Sequence, residues 1–240
     1  MDFIHLSDLI PFLQNAYIKI DNKFMKQLLI DSSGSNEPHK NKNFAEAVGY
    51  LYNPKYNSAP GIAQVFYGER NIRINSLEKI LQQSKYSWAD VEKQLIYIKA
   101  GIHKGEINPS FPIGIGNEVG SVLGYILGDG AISVRDNAVF FSNSDIALLK
   151  DFSNSMDKIF NIKPRIWAQE KRKFEEKSKW LKRVASLEEV PKDHCVGLFY
   201  PKICGLILNG LFGNFAVGKD KTITKEILTS NLSLKKGLVA

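Results

Sequence analysis

One acidic residue stands where a helix is expected to end, and its chemistry is distinctive. Asp129 follows a run of apolar and small residues, Asn117–Gly128, and precedes Gly130. The carboxyl end of a helix already carries partial negative charge, so it repels a carboxylate. A divalent cation reverses the sign of that interaction. The alternative is that Asp129 and Gly130 only form a turn, with Gly130 in the left-handed conformation that closes many helices.

The same run repeats a small residue along one helical face. Gly120, Gly124 and Gly128 recur at every fourth position. Each glycine costs a helix about 1 kcal/mol relative to alanine. Close backbone contact with a second helix is the usual compensation, so we expect these three glycines to pack against another helix.

The end of this run resembles the motif of the LAGLIDADG homing endonuclease family. The resemblance lies in LGYILGDG (Leu123–Gly130), the following AISV (Ala131–Val134) and the later FSNSD (Phe141–Asp145), and it covers residues 112–240. It implies a half-unit of order αββαββα, with an antiparallel sheet that forms a saddle in the major groove. It also implies Mg²⁺-dependent hydrolysis of phosphodiesters in double-stranded DNA.

The resemblance further implies roles for individual residues. Asp129 and Gly128 would hold the metal, and Asn143 with Lys219 or Lys221 would surround the attacking water. One motif supplies one carboxylate. We therefore expect either a homodimer through the glycine face or a truncated remnant that does not cut. The alternatives to a nuclease are a non-cleaving DNA-binding regulator and an RNA maturase of the same fold.

A basic stretch in the same half suits nucleic acid. Residues 163–183 contain nine Lys or Arg and three Glu. If residues 165–173 form a strand, alternation places every second side chain on one face, which could enter a DNA groove. The alternative is a solvated hairpin tip. The residues expected to contact DNA are Arg165, Trp167, Gln169, Lys171 and Lys173, with Ser133 and Arg135 from the first strand.

Hydrophobic periodicity predicts the elements that position these residues. Together they indicate an α+β domain with one antiparallel sheet. In order, the expected elements are the motif helix, two strands within 131–142 joined at Arg135–Asn137, a helix over Ser144–Ile159, strands near Arg165 and His194, and a helix over Lys202–Phe212.

The first half, residues 1–105, indicates an all-helical domain. A linker at 106–116, where glycine and proline concentrate, separates it from the second domain at 117–240. Its short helix at Gly61–Tyr67 and final helix at Trp88–Lys99 resemble the order of phage-repressor helix-turn-helix modules, in which the short helix enters the major groove. In that interpretation Gln64, Tyr67, Arg70 and Arg73 face DNA. The alternative is a helical bundle that docks onto the second domain or a partner.

The composition is that of an ordinary globular protein. The 240 residues are 44% hydrophobic and 24% charged, and the net charge of +7 favours an anionic partner. Two cysteines cannot form a disulfide framework, so a reducing cytoplasm is expected. The longest apolar run is about half of a spanning helix, and the start lacks a secretory signal, so membrane insertion is not expected.

Overall fold

The chain folds into two compact units. The computed structural model describes residues 2–101, 105–170, 182–191, 194–215, 221–223 and 232–239. The N-terminal unit is His5–Lys104, and the C-terminal unit is Gly105–Ala240 together with Met1–Ile4. Residues 106–116, expected to be a linker, are therefore grouped with the C-terminal unit.

The N-terminal unit alternates helices with short strands. The first strand of the chain, β1 (Phe3–Ile4), belongs to the other unit. The elements that follow are α1 (Leu6–Leu13), β2 (Tyr17–Ile20), α2 (Asn22–Ser33), α3 (Lys42–Ala47), α4 (Pro60–Phe66), β3 (Ile72–Arg73), α5 (Ile74–Leu81), α6 (Trp88–Lys93) and β4 (Leu95–Lys99).

The prediction of an all-helical N-terminal domain is wrong, because three of these elements form an antiparallel sheet in the order β3, β2, β4. The helix expected over Trp88–Lys99 ends at Lys93, and Leu95–Lys99 is a strand. A short apolar run fits both periods. Pairing with Tyr17–Ile20 decides between them, and it places Ile18 opposite Ile98, both fully buried.

The C-terminal unit carries the remaining elements. In chain order these are β5 (Glu106–Ile107), β6 (Ile113–Gly114), α7 (Asn117–Leu127), β7 (Gly130–Ile132), β8 (Val139–Asn143), α8 (Ile146–Phe160), β9 (Arg165–Glu170), β10 (Lys182–Val184), β11 (His194–Tyr200), α9 (Lys202–Phe212), β12 (Gly213–Asn214), β13 (Thr222–Ile223) and α10 (Leu232–Val239). Strand β1 pairs with β6, and this pairing explains why the first residues belong here.

Five of these strands form one antiparallel sheet in the order β10, β9, β11, β8, β7. One face is buried, since Phe141, Ile166 and Leu198 are each at most 7% exposed. Helix α8 packs against β8 and β11, and α9 packs against β8. The predicted α+β class with an antiparallel sheet is confirmed for this unit. The expected strands on either side of residues 135–137 and the two later helices are also present. The expected order αββαββα is wrong, because three strands lie between α8 and α9: β10 pairs with β9 in addition to the two strands expected near Arg165 and His194.

The motif helix α7 packs closely against α10 of the same chain. A Cβ at Gly120 would overlap the carbonyl oxygen of Leu234, and one at Gly124 would lie 2.8 Å from that of Leu238. Since Gly120 faces Leu234 and Gly124 faces Leu238, the two helices run in the same direction. The glycine face expected to meet a second copy of the chain is thus covered by the chain's own helix.

Gly128 does not take part in this helix contact. It ends α7, and a Cβ there would meet only backbone oxygens of Gly124 and Tyr125, at ordinary distances of 3.6 and 3.8 Å. The contact instead includes Gly237, where a Cβ would overlap the Asn117 carbonyl oxygen. The close approach therefore uses Gly120 and Gly124 from α7 and Gly237 from α10.

No helix in the described ranges combines the length and the apolar character that crossing a membrane requires.

The α7–α10 contact can be tested with Gly120→Ala. Helix propensity alone would make this change stabilising by about 1 kcal/mol. Because the added methyl group overlaps the backbone of α10, we expect the free energy of unfolding to fall by about 1–3 kcal/mol instead. Urea denaturation measures the difference, with Gly114→Ala as the control because a Cβ at Gly114 meets nothing within 4 Å. A stabilised Gly120→Ala variant would contradict the packing.

Candidate metal site and nucleic-acid interface

Two of the predicted catalytic residues lie together at the end of α7. Strand pairing places Gly130 opposite Phe141, so the last residue of β8 lies beside the residue that precedes β7. The Asn143 side-chain NH₂ donates a hydrogen bond to the Asp129 carboxylate at 3.1 Å. Asp129 is exposed. The sequence thus identified a carboxylate and an amide that the fold brings into contact.

Gly130 permits this arrangement because its lack of a side chain lets neighbouring backbone approach closely. The alternative of a left-handed turn at Gly130 is wrong. A Cβ there would lie 2.8 Å from the Ile126 Cα and 3.1 Å from the Phe140 carbonyl oxygen. Its φ is not among the positive values found for other glycines of the described chain. The chain therefore leaves the helix and enters β7 at once, and Asp129 is held between two regular elements.

Lys221 neutralises the carboxyl end of α7. Its ammonium group donates to the carbonyl oxygens of Ile126 and Gly130 at 2.7 Å, and to those of Leu127 and Gly128 at 3.2 Å. Positive charge at a helix carboxyl end is stabilising, and here it also satisfies carbonyls that the helix leaves unpaired. The sequence led us to expect a divalent cation at this helix end, and the structure shows a lysine ammonium group against its carbonyl oxygens. The Gly128 carbonyl, expected to bind metal, faces this ammonium group.

The side chains at this position fit a metal ion only in part. Asn143 accepts the Asp145 backbone N–H at 2.9 Å through its Oδ1 and points its NH₂ at Asp129, so it orients the carboxylate and does not ligate. Mg²⁺ commonly takes one or two carboxylates and completes its shell with water and substrate phosphates. Asp129 meets that minimum. No group of three or more His, Cys, Asp or Glu with metal-binding geometry occurs within the described ranges.

The outer face of the five-stranded sheet carries the predicted DNA-contacting side chains of β9. Arg165 is exposed, Trp167 and Gln169 are half-buried, and the residues between them, Ile166 and Ala168, are buried. The predicted alternation is therefore present over the described part of the strand. Lys171 and Lys173 fall outside the described residues, as does Lys219.

Several residues of this outer face were not identified from the sequence. Arg183 of β10 is exposed and lies opposite Trp167. Phe140 and Phe199 face each other across β8 and β11 with ring centroids 4.7 Å apart. Gly197 of β11 also lies opposite Trp167. Because Gly197 has no side chain, the rings of Phe140 and Phe199 can lie over its backbone. Applying the same alternation to β8, β10 and β11 would have found them.

The two residues expected on the first strand lie in a turn instead. Strand β7 ends at Ile132, and Ser133 begins a tight connection in which its N–H donates to the Ala138 carbonyl at 2.9 Å. Arg135 is exposed within that turn, and Asn137 has a φ of 52°. The strand was predicted too long because Ser133 and Val134 continue its alternation, whereas the turn of 133–138 closes the hairpin earlier.

The proposed DNA-facing residues of the N-terminal unit are exposed. Gln64 lies on the outer side of α4, and Arg70 lies in the segment between α4 and β3. Arg70 and Arg73 both line a cleft of this unit, which differs from a protruding recognition helix.

A scan against protein-family models finds no match for the chain, and a search of the curated proteins also finds none.

The role of Lys221 can be tested with Lys221→Met, which keeps the aliphatic stem and removes the ammonium group. We expect the free energy of unfolding to fall by about 1–2 kcal/mol, because up to four carbonyl oxygens lose their donor and the helix end loses its cation. Chemical denaturation gives the value. Lys235→Met, at an exposed position of α10, is the matched control. Equal stabilities of the two variants would refute the role.

Proposed function

We propose that this chain is a double-stranded-DNA-binding protein of the LAGLIDADG homing endonuclease type, which hydrolyses phosphodiesters with Mg²⁺ when a second carboxylate completes the site. The observation that carries the proposal is one arrangement: a glycine-faced helix ends at Asp129 directly against an antiparallel sheet whose outer face carries arginine and glutamine side chains beside aromatic ones. Both parts support the proposal, because the family that the sequence resembles combines a carboxylate at a helix end with a DNA-facing antiparallel sheet.

The outer face has the chemistry that a DNA groove requires. An antiparallel ribbon of strands can enter the major groove, where arginine recognises guanine or phosphate and glutamine recognises adenine. Arg165, Arg183 and Gln169 supply those groups from adjacent strands. Residues 109–240 contain 19 basic and 14 acidic residues, so this half has the positive field that attracts a polyanion.

The end of α7 supports the cleavage part of the proposal. Asp129 would hold the metal, which supplies activation of water and stabilisation of the leaving oxygen when bound. Asn143 fixes the orientation of that carboxylate through its hydrogen bond. Lys221 offsets the negative helix end, because its ammonium group donates to the carbonyl oxygens of Ile126, Leu127 and Gly128 beside the exposed carboxylate.

The partner helix is consistent with the same proposal. In the family that the sequence resembles, two such helices pack through small residues, and each brings one carboxylate. Helix α10 lies against the glycines of α7 and runs in the same direction. Because α10 occupies the glycine face of α7, the packing partner that the proposal requires is supplied by the same chain, in place of the homodimer considered above.

DNA binding by the outer face can be tested with the double variant Arg165→Gln, Arg183→Gln. If each guanidinium contacts one phosphate, the slope of log affinity against log salt concentration should fall by about 1.8. Fluorescence anisotropy with a labelled duplex at several salt concentrations measures it. The double variant Lys235→Gln, Lys236→Gln removes the same charge from exposed positions of α10 and should leave the slope unchanged. Equal slopes for both would exclude this face.

The metal role of Asp129 can be tested without an activity assay. Mn²⁺, which replaces Mg²⁺ at oxygen sites, should broaden the NMR signals of amides near Asp129 and Asn143. Asp129→Asn should abolish that broadening, and Asn143→Ala should weaken Mn²⁺ binding by about tenfold. Asp151→Asn is the control, because Asp151 is a nearby carboxylate whose partner is the Tyr125 hydroxyl and which the proposal does not use. Nicking of supercoiled DNA then separates binding from cleavage, and broadening that persists in Asp129→Asn would rule out this ligand.

A further inference from the structure

The N-terminal unit contains a cleft that the proposed function does not use. Its volume is about 360 Å³, within the range of small-molecule sites, about 300–1,000 Å³. The charged residues that line it are Arg70, Arg73 and Lys79, all cationic, and no acidic residue lines it. Three convergent positive charges are costly for a folded domain unless an anion joins them.

The cations of the cleft have no acidic partner among the described residues, since none of the ion pairs found there includes Arg70, Arg73 or Lys79. The Arg73 Nε donates to the Tyr17 hydroxyl at 3.2 Å, and this hydrogen bond, helped by Arg70, lowers the pKa of Tyr17 below its ordinary value. Burial raises the pKa of Tyr50, which also lines the cleft, so the effect on Tyr17 is specific to the phenol that the arginines contact.

Neutral polar groups complete the lining. Ser76 is 7% exposed, and a Cβ added at Gly49 would lie 3.8 Å from both its hydroxyl and the Lys79 ammonium group. Gly49 has a φ of +87°, which disfavours a side chain there and keeps the space open. The Asn75 Oδ1 is buried and has no hydrogen-bond partner. A rotation of that side-chain amide by about 180° would exchange the oxygen for its NH₂ group, which is a hydrogen-bond donor.

We propose that this cleft binds a phosphate group. Guanidinium groups match phosphate oxygens in geometry and charge, and an ammonium group with neutral donors adds further charge-assisted hydrogen bonds. A phosphate dianion carries two negative charges and therefore neutralises three cations more completely than the single charge of a carboxylate does. The phosphate belongs either to a free small molecule or to a nucleic-acid backbone, and the two sources share the same recognition chemistry.

Binding to the full chain is measured with inorganic phosphate at constant ionic strength, by isothermal titration calorimetry. Arg70→Gln should weaken the affinity about tenfold or more, the loss typical of one charged hydrogen bond. Lys79→Gln should also weaken it and serves if Arg70→Gln does not fold. Lys42→Gln, an exposed position of α3 outside the cleft, should have no effect.

Phenol titration gives a readout that a structural role would not change. A bound phosphate opposes the effect of Arg73, so added phosphate should raise the pKa of Tyr17 towards its ordinary value. A pH titration followed by phenolate absorbance measures this pKa. The titration step that belongs to Tyr17 should be missing in Tyr17→Phe. A phosphate-independent titration, together with no calorimetric binding, would count against a free phosphate.

A duplex arm distinguishes the two sources. If inorganic phosphate does not bind but Arg70→Gln with Arg73→Gln lowers the salt slope of duplex binding by about 1.8, the phosphate is that of nucleic acid. If these variants change neither the affinity for phosphate nor the salt slope of duplex binding, the proposal is overturned. The inference does not rest on the sheet, because Arg165→Gln with Arg183→Gln should leave phosphate binding intact.

Discussion

The candidate site of the C-terminal unit depends on how negative charge is stabilised at the carboxyl end of α7. The partial negative charge of the helix carbonyls and the carboxylate of Asp129 lie at the same helix end, where they repel each other. Lys221 relieves the repulsion because its three N–H groups lie within hydrogen-bond distance of four carbonyl oxygens, with at least one donor shared between two of them. Its position, just before β13, makes the segment after α9 part of the candidate site. A helix end that is neutralised on the carbonyl side can keep an exposed carboxylate available for other ligands.

The neighbouring sheet depends on a second constraint, the strict alternation of side chains along strands. Helices α8 and α9 cover one face, so apolar residues such as Phe141 and Leu198 are confined to it. The other face is then free to carry arginine, glutamine and tryptophan without cost to the core. Any substitution that shifted the register of β9 by one residue would exchange the two sets and destroy both core and surface.

The sequence predicted those features that depend on local periodicity. The helices α7, α8 and α9, the alternation around Arg165, and the close helix contact of Gly120 all follow from spacing within a few residues. Strand β10 was missed, because its three residues are too few to show a period. Features that depend on contacts between residues far apart in the sequence could not be predicted from local spacing. Strand β4 exists because residues about 80 positions earlier pair with it, and the four-carbonyl role of Lys221 joins residues more than 90 positions apart. The helix that covers Gly120 likewise comes from the far end of the chain.

The two candidate anion sites represent different physical solutions to the same recognition problem. On the sheet, guanidinium groups are spread along exposed strands, so affinity for a polyanion comes mainly from released counterions and falls steeply with salt. In the cleft of the N-terminal unit, cations and neutral donors converge on one small volume. Hydrogen-bond geometry then contributes more, and salt acts mainly by competition for a single site. Salt dependence, measured separately for the two sets of arginines, therefore distinguishes an extended groove-binding face from a built phosphate pocket.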